Sequence, residues 1–270
     1  MKKILEAIIK FFAMLFGKKE EQVVDDNTPI TNEADTIVIG EENIINNDEF
    51  EEVEPVLGAP ENNFKTVILI DNGHGENTGG KRSPYSLCGV KPELDFYEYK
   101  WNREIAGRIV KRLRNIGYDA RLLVPELIDI SLSERANRAN KICNEVGTAN
   151  VILISIHANA AGNGKEWKNA QGWCAFTTKG KTKSDVLSEC LYDEAEKEFI
   201  GRKIRTDKTD GDRDWEENFT IIYKSWCPAV LTENFFYDNP DDTRYILSED
   251  GKEKVVNVHV NGIIKYLNSK

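Results

Sequence analysis

The chain has 270 residues, enough for one large or two modest domains with an ample core, and a formal net charge of −10. The charge is uneven: residues 20–63 hold fourteen Asp and Glu and no Lys or Arg, residues 1–19 hold five Lys and one Glu, and residues 64–270 are close to neutral. This balance argues against a nucleic-acid surface, and five cysteines, odd in number and without a CxxC pair, argue against a disulfide framework or a thiolate zinc site.

Residues 1–19, MKKILEAIIKFFAMLFGKK, resemble a signal peptide only superficially, because Glu6 and Lys10 interrupt the apolar stretch and no small-residue cleavage site follows. In a spanning helix each central charge would cost roughly 2.5 to 3.5 kcal/mol. On a helical wheel Lys3, Glu6 and Lys10 share one narrow face, with Ile4, Ile8, Phe12 and Leu15 on the rest. The pattern predicts an amphipathic helix lying on a membrane surface, with docking on a globular partner as the alternative. Residues 20–63, acidic, Asn-rich and broken by Pro29, Pro55 and Pro60, are expected to form a flexible linker.

The globular part begins with TVILIDNGHG, residues 66–75. Val67 to Ile70 are apolar without alternation, as in a strand buried on both faces of a parallel sheet. Gly73 and Gly75 are expected to let the chain turn sharply and bring His74 to the sheet's carboxyl edge, where open α/β sheets place ligands. Residues 76–97 form a long Gly-, Ser- and Pro-containing loop, a length that usually carries function. Trp101, Ile105, Ile109 and Leu113 then recur at helical spacing, predicting a helix from Glu98 to Gly117 with Glu98 and Asn102 on one face of its first turn.

Residues 120–124 read as a strand, and Ser131 with Glu134 as a capping box opening a helix that ends at Gly147. VILISI, residues 151–156, is a second strand buried on both faces, and it ends in His157. Parallel crossovers would bring His74 and His157 to the same edge, a coincidence in a chain with three histidines. Further on, the pattern predicts a strand at 171–178, a helix at 183–200, a surface loop beside the cleft at 202–217, and strands at 219–223 and 228–232, the last delivering Glu233. Asn239 and Pro240 start another helix, and a final helix spans about 252–267 with His259 as a structural residue in its middle. The fold class is therefore α/β, a three-layer, mostly parallel twisted sheet flanked by helices and preceded by the amphipathic helix and acidic linker.

His74, Glu98, His157 and Glu233 stand at or beside strand ends. Two imidazoles and a carboxylate suit catalytic zinc, which leaves a fourth position for water, and a second carboxylate could handle that water's proton. Spacing alone does not say which Glu is ligand and which is base, nor does it exclude Asp71, Glu76 or Glu93.

DNGHG, then EYKWN opening a helix, LSERANRAN before ILISIHANA, CPAVLTENFFYDNP and a closing NGIIKYL together resemble zinc-dependent N-acetylmuramoyl-L-alanine amidases of the amidase 3 family. The resemblance covers residues 66–267 with its motifs in family order. It implies His74, Glu98 and His157 as zinc ligands, Glu233 as catalytic acid/base, Arg135 as a supporting residue and Asn159 as a shaper of the loop after the second histidine. One position departs: the family has Thr-Gly-Phe or Leu-Gly-Phe after the catalytic residue, and this chain has Asn234, Phe235 and Phe236.

The expected activity is hydrolysis of the amide between the lactyl group of muramic acid and L-alanine in peptidoglycan, by a monomer acting in the periplasm or cell wall, with residues 64–270 as the zinc amidase domain. Two alternatives are a zinc carboxypeptidase, needing Arg82, Arg103 or Arg213 for a terminal carboxylate, and a non-catalytic wall-binding module, which would lack a catalytic acid, whereas Glu233 is present.

Overall fold

In the computed structural model, residues 66–84 and 91–269 are described. The expectations for the amphipathic helix at 1–19 and the linker at 20–63 lie outside them, as do residues 85–90 of the long loop. No helix among the described residues is long and apolar enough to cross a membrane.

One six-stranded sheet organises the chain, in the order β2-β1-β3-β6-β4-β5. Its strands are β1 (Val67–Asn72), β2 (Ala120–Leu122), β3 (Val151–Asn159), β4 (Cys174–Thr177), β5 (Trp215–Glu216) and β6 (Ala229–Phe236). Strands β2, β1, β3 and β6 run parallel, while β4 is antiparallel to β6 and β5 is parallel to β4. The helices are α1 (Glu98–Asn115), α2 (Leu132–Val146), α3 (Lys183–Glu198), α4 (Thr220–Lys224), α5 (Pro240–Leu247) and α6 (Glu249–Asn268).

The unalternating strands are explained by two separate cores. Ile68 and Ile70 of β1 and Ile152, Ile154 and Ile156 of β3 pack with residues of α1, α3 and α6. Val67, Leu69, Val151 and Leu153 pack on the opposite face with Ala136, Ala139 and Cys143 of α2 and with Ile221 and Ile222 of α4. Each fully buried aliphatic side chain contributes about 1.5–3 kcal/mol, and because both faces are covered the runs 67–70 and 151–154 are apolar at every position.

Local signals act as expected at several ends. The Ser131 side chain accepts from the Glu134 N–H at the start of α2, and the Asn239 side chain accepts from Asp241 and Asp242 at the start of α5. Residues 219–223, expected as a strand, instead form helix α4. A strand would send Ile221 and Ile222 to opposite faces, yet both enter the α2-side core, and the position beside β4 is taken by β5 from the preceding loop. A run of five β-branched and aromatic residues does not by itself separate the two conformations.

Candidate metal centre

The site is built at the carboxyl edge of β1, β3 and β6. His74 follows β1 in the left-handed region, with φ of 66°. Gly73 and Gly75 are not the residues that take up this turn. They are required by proximity: a Cβ on Gly73 would lie 2.1 Å from His157 Cε1, and one on Gly75 would lie 2.0 Å from the Asp129 nitrogen. The expectation that these glycines supply the bend is thus corrected: His74 itself bends, and the glycines let a second imidazole and the 127–129 backbone close in.

Donors from α1 and α2 hold His74 in this unusual conformation. Its carbonyl accepts from Arg103 at 2.9 Å and from Arg135 at 3.3 Å, while the Asn102 amide donates to the Gly73 carbonyl at 3.1 Å. The Arg135 guanidinium is almost wholly buried and also reaches Asp71 at 2.7 Å, the Asn72 carbonyl at 2.8 Å and Asp129 at 2.9 Å. Asp71 in turn accepts from Ser155 of β3 at 2.5 Å, so the charge pair ties β1, β3 and α2 together. Arg135 is therefore the support that the family resemblance implied. Arg103 braces the same loop from α1, and Arg213 is engaged by Glu189, Asp193 and Glu196. Neither is free to receive a terminal carboxylate.

Glu98 opens α1 and is 1% exposed. Its Oε1 lies 3.1 Å from His157 Nδ1 and accepts from the Ala158 N–H at 3.2 Å, and its Oε2 lies 3.4 Å from His74 Nε2. Burial opposes the charge on Glu98, but the neighbouring His74 and His157 outweigh it and hold the carboxyl well below its usual range. The two imidazoles meet edge-on, with ring centroids 5.0 Å apart.

Glu233 lies within β6 and is the register partner of His157 in β3. Burial is the main force pushing its carboxyl up to about 7; the charge of Glu98 adds to it, and His157, Lys81 and Arg205 oppose it. A carboxyl poised there can accept and return a proton near neutrality. Beyond Glu233 the strand bulges: His157 pairs with Glu233, but Asn159 pairs with Phe236, so Asn234 and Phe235 together face Ala158 alone. Phe235 carries φ of 68° at the position where the family pattern has glycine. The conformation that glycine serves is thus kept by a phenylalanine, which is fully buried edge-on to Phe199 and Tyr245. The Asn234 amide donates to the His157 carbonyl at 2.9 Å and its oxygen accepts from the Trp173 indole at 2.9 Å. Neither contact was legible in sequence. Asp71 lies in the Arg135 pair, and Glu76 and Glu93 do not join the cluster, so the alternatives left open by spacing fall away.

The donor set fits a metal. Among the described residues His74, Glu98 and His157 form a cluster that could hold an ion, with one ligand atom from each lying within 4.8 Å of the others. Tetrahedral zinc, with bonds of about 2.0–2.2 Å, sets its ligand atoms roughly 3.3–3.5 Å apart, and His74 Nε2 lies 3.4 Å from Glu98 Oε2. Glu98 Oε2 is moreover buried without a hydrogen-bond partner, which a bound cation would supply.

Fold and site together define a hydrolase-like α/β protein with a His-Glu-His cluster that could hold a metal and a poised second carboxylate. Residues 68–265 match the family model described as N-acetylmuramoyl-L-alanine amidase, and the chain belongs to that family. It is a peptidoglycan amidase that acts on the cell wall. It is 26% identical over 211 residues to an endolysin of Bacillus phage SPP1, covering 76% of this chain and 67% of that protein. With the N-acetylmuramoyl-L-alanine amidase CwlM of Bacillus licheniformis it shares 27% identity over 204 residues, 74% of this chain and 68% of the relative. The crystal structure of an N-acetylmuramoyl-L-alanine amidase from Clostridium difficile 630 superposes with a TM-score of 0.62 at 27% identity, covering 76% of this chain and 98% of that one.

Proposed function

We propose that this amidase is zinc-dependent, with His74, Glu98 and His157 as the metal ligands and Glu233 as the catalytic acid/base. The observation that carries the reading is the convergence of these three side chains, Glu98 Oε2 lacking any other partner, at a rim that also holds a carboxyl poised near neutrality. Zinc at this centre would polarise the scissile carbonyl and acidify the attacking water. Glu233 takes up the water's proton and delivers it to the leaving nitrogen of L-alanine, separating the lactyl carboxylate of muramic acid from the stem peptide. Glu98 would add negative charge to balance the ion, and its Oε1 orients His157. Arg135 and Arg103 hold the His74 backbone so that the imidazole meets the centre without reorganisation.

Residues 64–270 serve as the catalytic domain of a monomer working in the periplasm or cell wall, and residues 1–19 as a membrane-surface element joined to it by residues 20–63. Vesicle co-sedimentation of the full chain against one lacking 1–19 tests the membrane element, and equal partitioning would end it. For the chemistry, metal analysis of the purified protein should find one zinc per chain, and digestion of peptidoglycan should release peptides with a free L-alanine amino group. Glu233→Ala should keep the zinc and lower turnover by about 10²–10⁴ or more. Retained turnover would overturn its assignment.

A further inference from the structure

At the opposite end of β6 from Glu233 lies a second recess. Its volume is about 430 Å³, and Thr178, Lys179, Lys183, Asn218, Tyr223 and Trp226 are among its lining residues. Pro228, which leads into β6, also lines it, so the two sites are separated by five residues of one strand, roughly 16 Å. Tyr223 is 62% and Trp226 57% exposed, which is unusual for such large aromatic side chains.

The segment carrying them is held in place. The side chain of Asn140 on α2 donates to the Lys224 carbonyl and accepts from the Trp226 N–H, both at 2.8 Å. Ser225 Oγ donates to the Ile221 carbonyl at 2.6 Å, and the Ala229 N–H donates to Ser184 Oγ at 3.0 Å. Two aromatic side chains left in water on a backbone held this way spare the cost of ordering that backbone when something stacks on them.

The surroundings define the class of ligand. Aromatic faces stack on the C–H faces of sugar rings while flanking hydroxyl and amide groups take the ring hydroxyls, the mixed lining that small-molecule sites show. Lys179 and Lys183 are exposed and form no ion pair among the described residues. Of the nearby carboxylates, Asp185 is occupied by the N–H and hydroxyl of Thr182 and Glu216 accepts from the Gly180 N–H at 2.5 Å. Two unpaired cations on a domain otherwise close to neutral select a carboxylate-bearing partner.

From this we propose that the Tyr223–Trp226 recess is a glycan-binding subsite for peptide-free strands whose muramic acid residues carry free lactyl carboxylates. This inference rests on the amidase reading, since those carboxylates are what cleavage uncovers. Holding the stripped strand here would keep the enzyme on the wall while the metal rim, at the other end of β6, works on a neighbouring stem, an effect of local concentration.

The test measures tryptophan fluorescence of the full-length protein titrated with a peptide-free tetrasaccharide of alternating N-acetylglucosamine and muramic acid, and with neutral chitotetraose. The wild type should bind the acidic sugar at least tenfold more tightly than the neutral one. Because Trp226→Ala removes the reporter, calorimetry follows Trp226→Ala, Tyr223→Ala and the double variant Lys179→Ala/Lys183→Ala, each expected to weaken acidic-sugar binding at least tenfold. Cleavage of a small soluble muramoyl peptide should be unchanged in all three, which separates failure of this subsite from failure of the catalytic reading. Undiminished binding in the variants, no preference for the acidic sugar, or a Trp226-dependent dimer in sedimentation velocity would each overturn the proposal.

Discussion

Glu98 Oε1 stands 3.1 Å from His157 Nδ1, across a sequence separation of 59 residues, and its other oxygen faces His74 at 3.4 Å. One carboxylate therefore links a loop, a helix N-terminus and a strand end. Removing it leaves two imidazoles that have lost their common anionic partner. Glu98→Gln, which keeps the volume and deletes the charge, should weaken zinc binding by about 100-fold or more, read by competition with a chromophoric chelator. In metal-free buffer the same change should also cost stability, because His74 and His157 outweigh burial and hold the Glu98 carboxylate in its charged form.

Arg135 and Asp71 form a charge pair in which both side chains are within 2% of complete burial. Arg135→Met strands the Asp71 carboxylate and should lower stability by about 3–5 kcal/mol in urea unfolding. It should also weaken metal binding, since the His74 and Asn72 carbonyls lose a donor. The double variant Arg135→Met/Asp71→Leu removes the stranded charge and should recover part of the stability while leaving the metal defect, a separation that a double-mutant cycle reads directly.

Phe235 combines a left-handed backbone with a fully buried ring. Phe235→Gly relieves backbone strain of about 1 kcal/mol but forfeits the aromatic packing on Phe199 and Tyr245, a loss of about 3–5 kcal/mol. The net expectation is a protein destabilised by roughly 2–4 kcal/mol, although the change restores the residue that the family pattern carries. A thermal melt decides the sign.

His259 is fully buried in α6, its Nε2 2.9 Å from Thr232 Oγ1 and its Nδ1 2.7 Å from the Val255 carbonyl. Burial drives its pKa down to about 4, with the Val255 carbonyl opposing. The folded protein thus keeps this ring neutral where the unfolded chain, with an ordinary value near 6.5, takes up a proton. Its contribution is fully present above about pH 6.5 and is lost as pH falls towards 4, reaching about 3 kcal/mol at the acid end. Urea unfolding at pH 7.5, 6 and 4.5 should show that slope, and His259→Gln should flatten it.

Much of this was legible from residue order. The unalternating runs of β1 and β3 marked strands covered on both faces, the spacing of Trp101, Ile105 and Ile109 marked α1, and Ser131 and Asn239 marked helix starts, because these signals act over a few neighbouring residues. With parallel strands inferred, His74 and His157 had to reach one edge. Residues 219–223 failed for the converse reason: five β-branched and aromatic residues suit strand or helix, and the slot beside β4 was filled by Trp215 and Glu216.

By itself the sequence determined β1, α1, α2 and β3 and which edge collects the histidines, since periodicity and caps are local. Only the tertiary structure decided that His74, rather than its glycines, takes the left-handed turn, that Arg135 and Arg103 clamp its carbonyl, and that Phe235 occupies a bulge suited to glycine. Those outcomes depend on close approaches between segments tens of residues apart, such as Gly73 against His157, where steric exclusion and desolvation act in three dimensions.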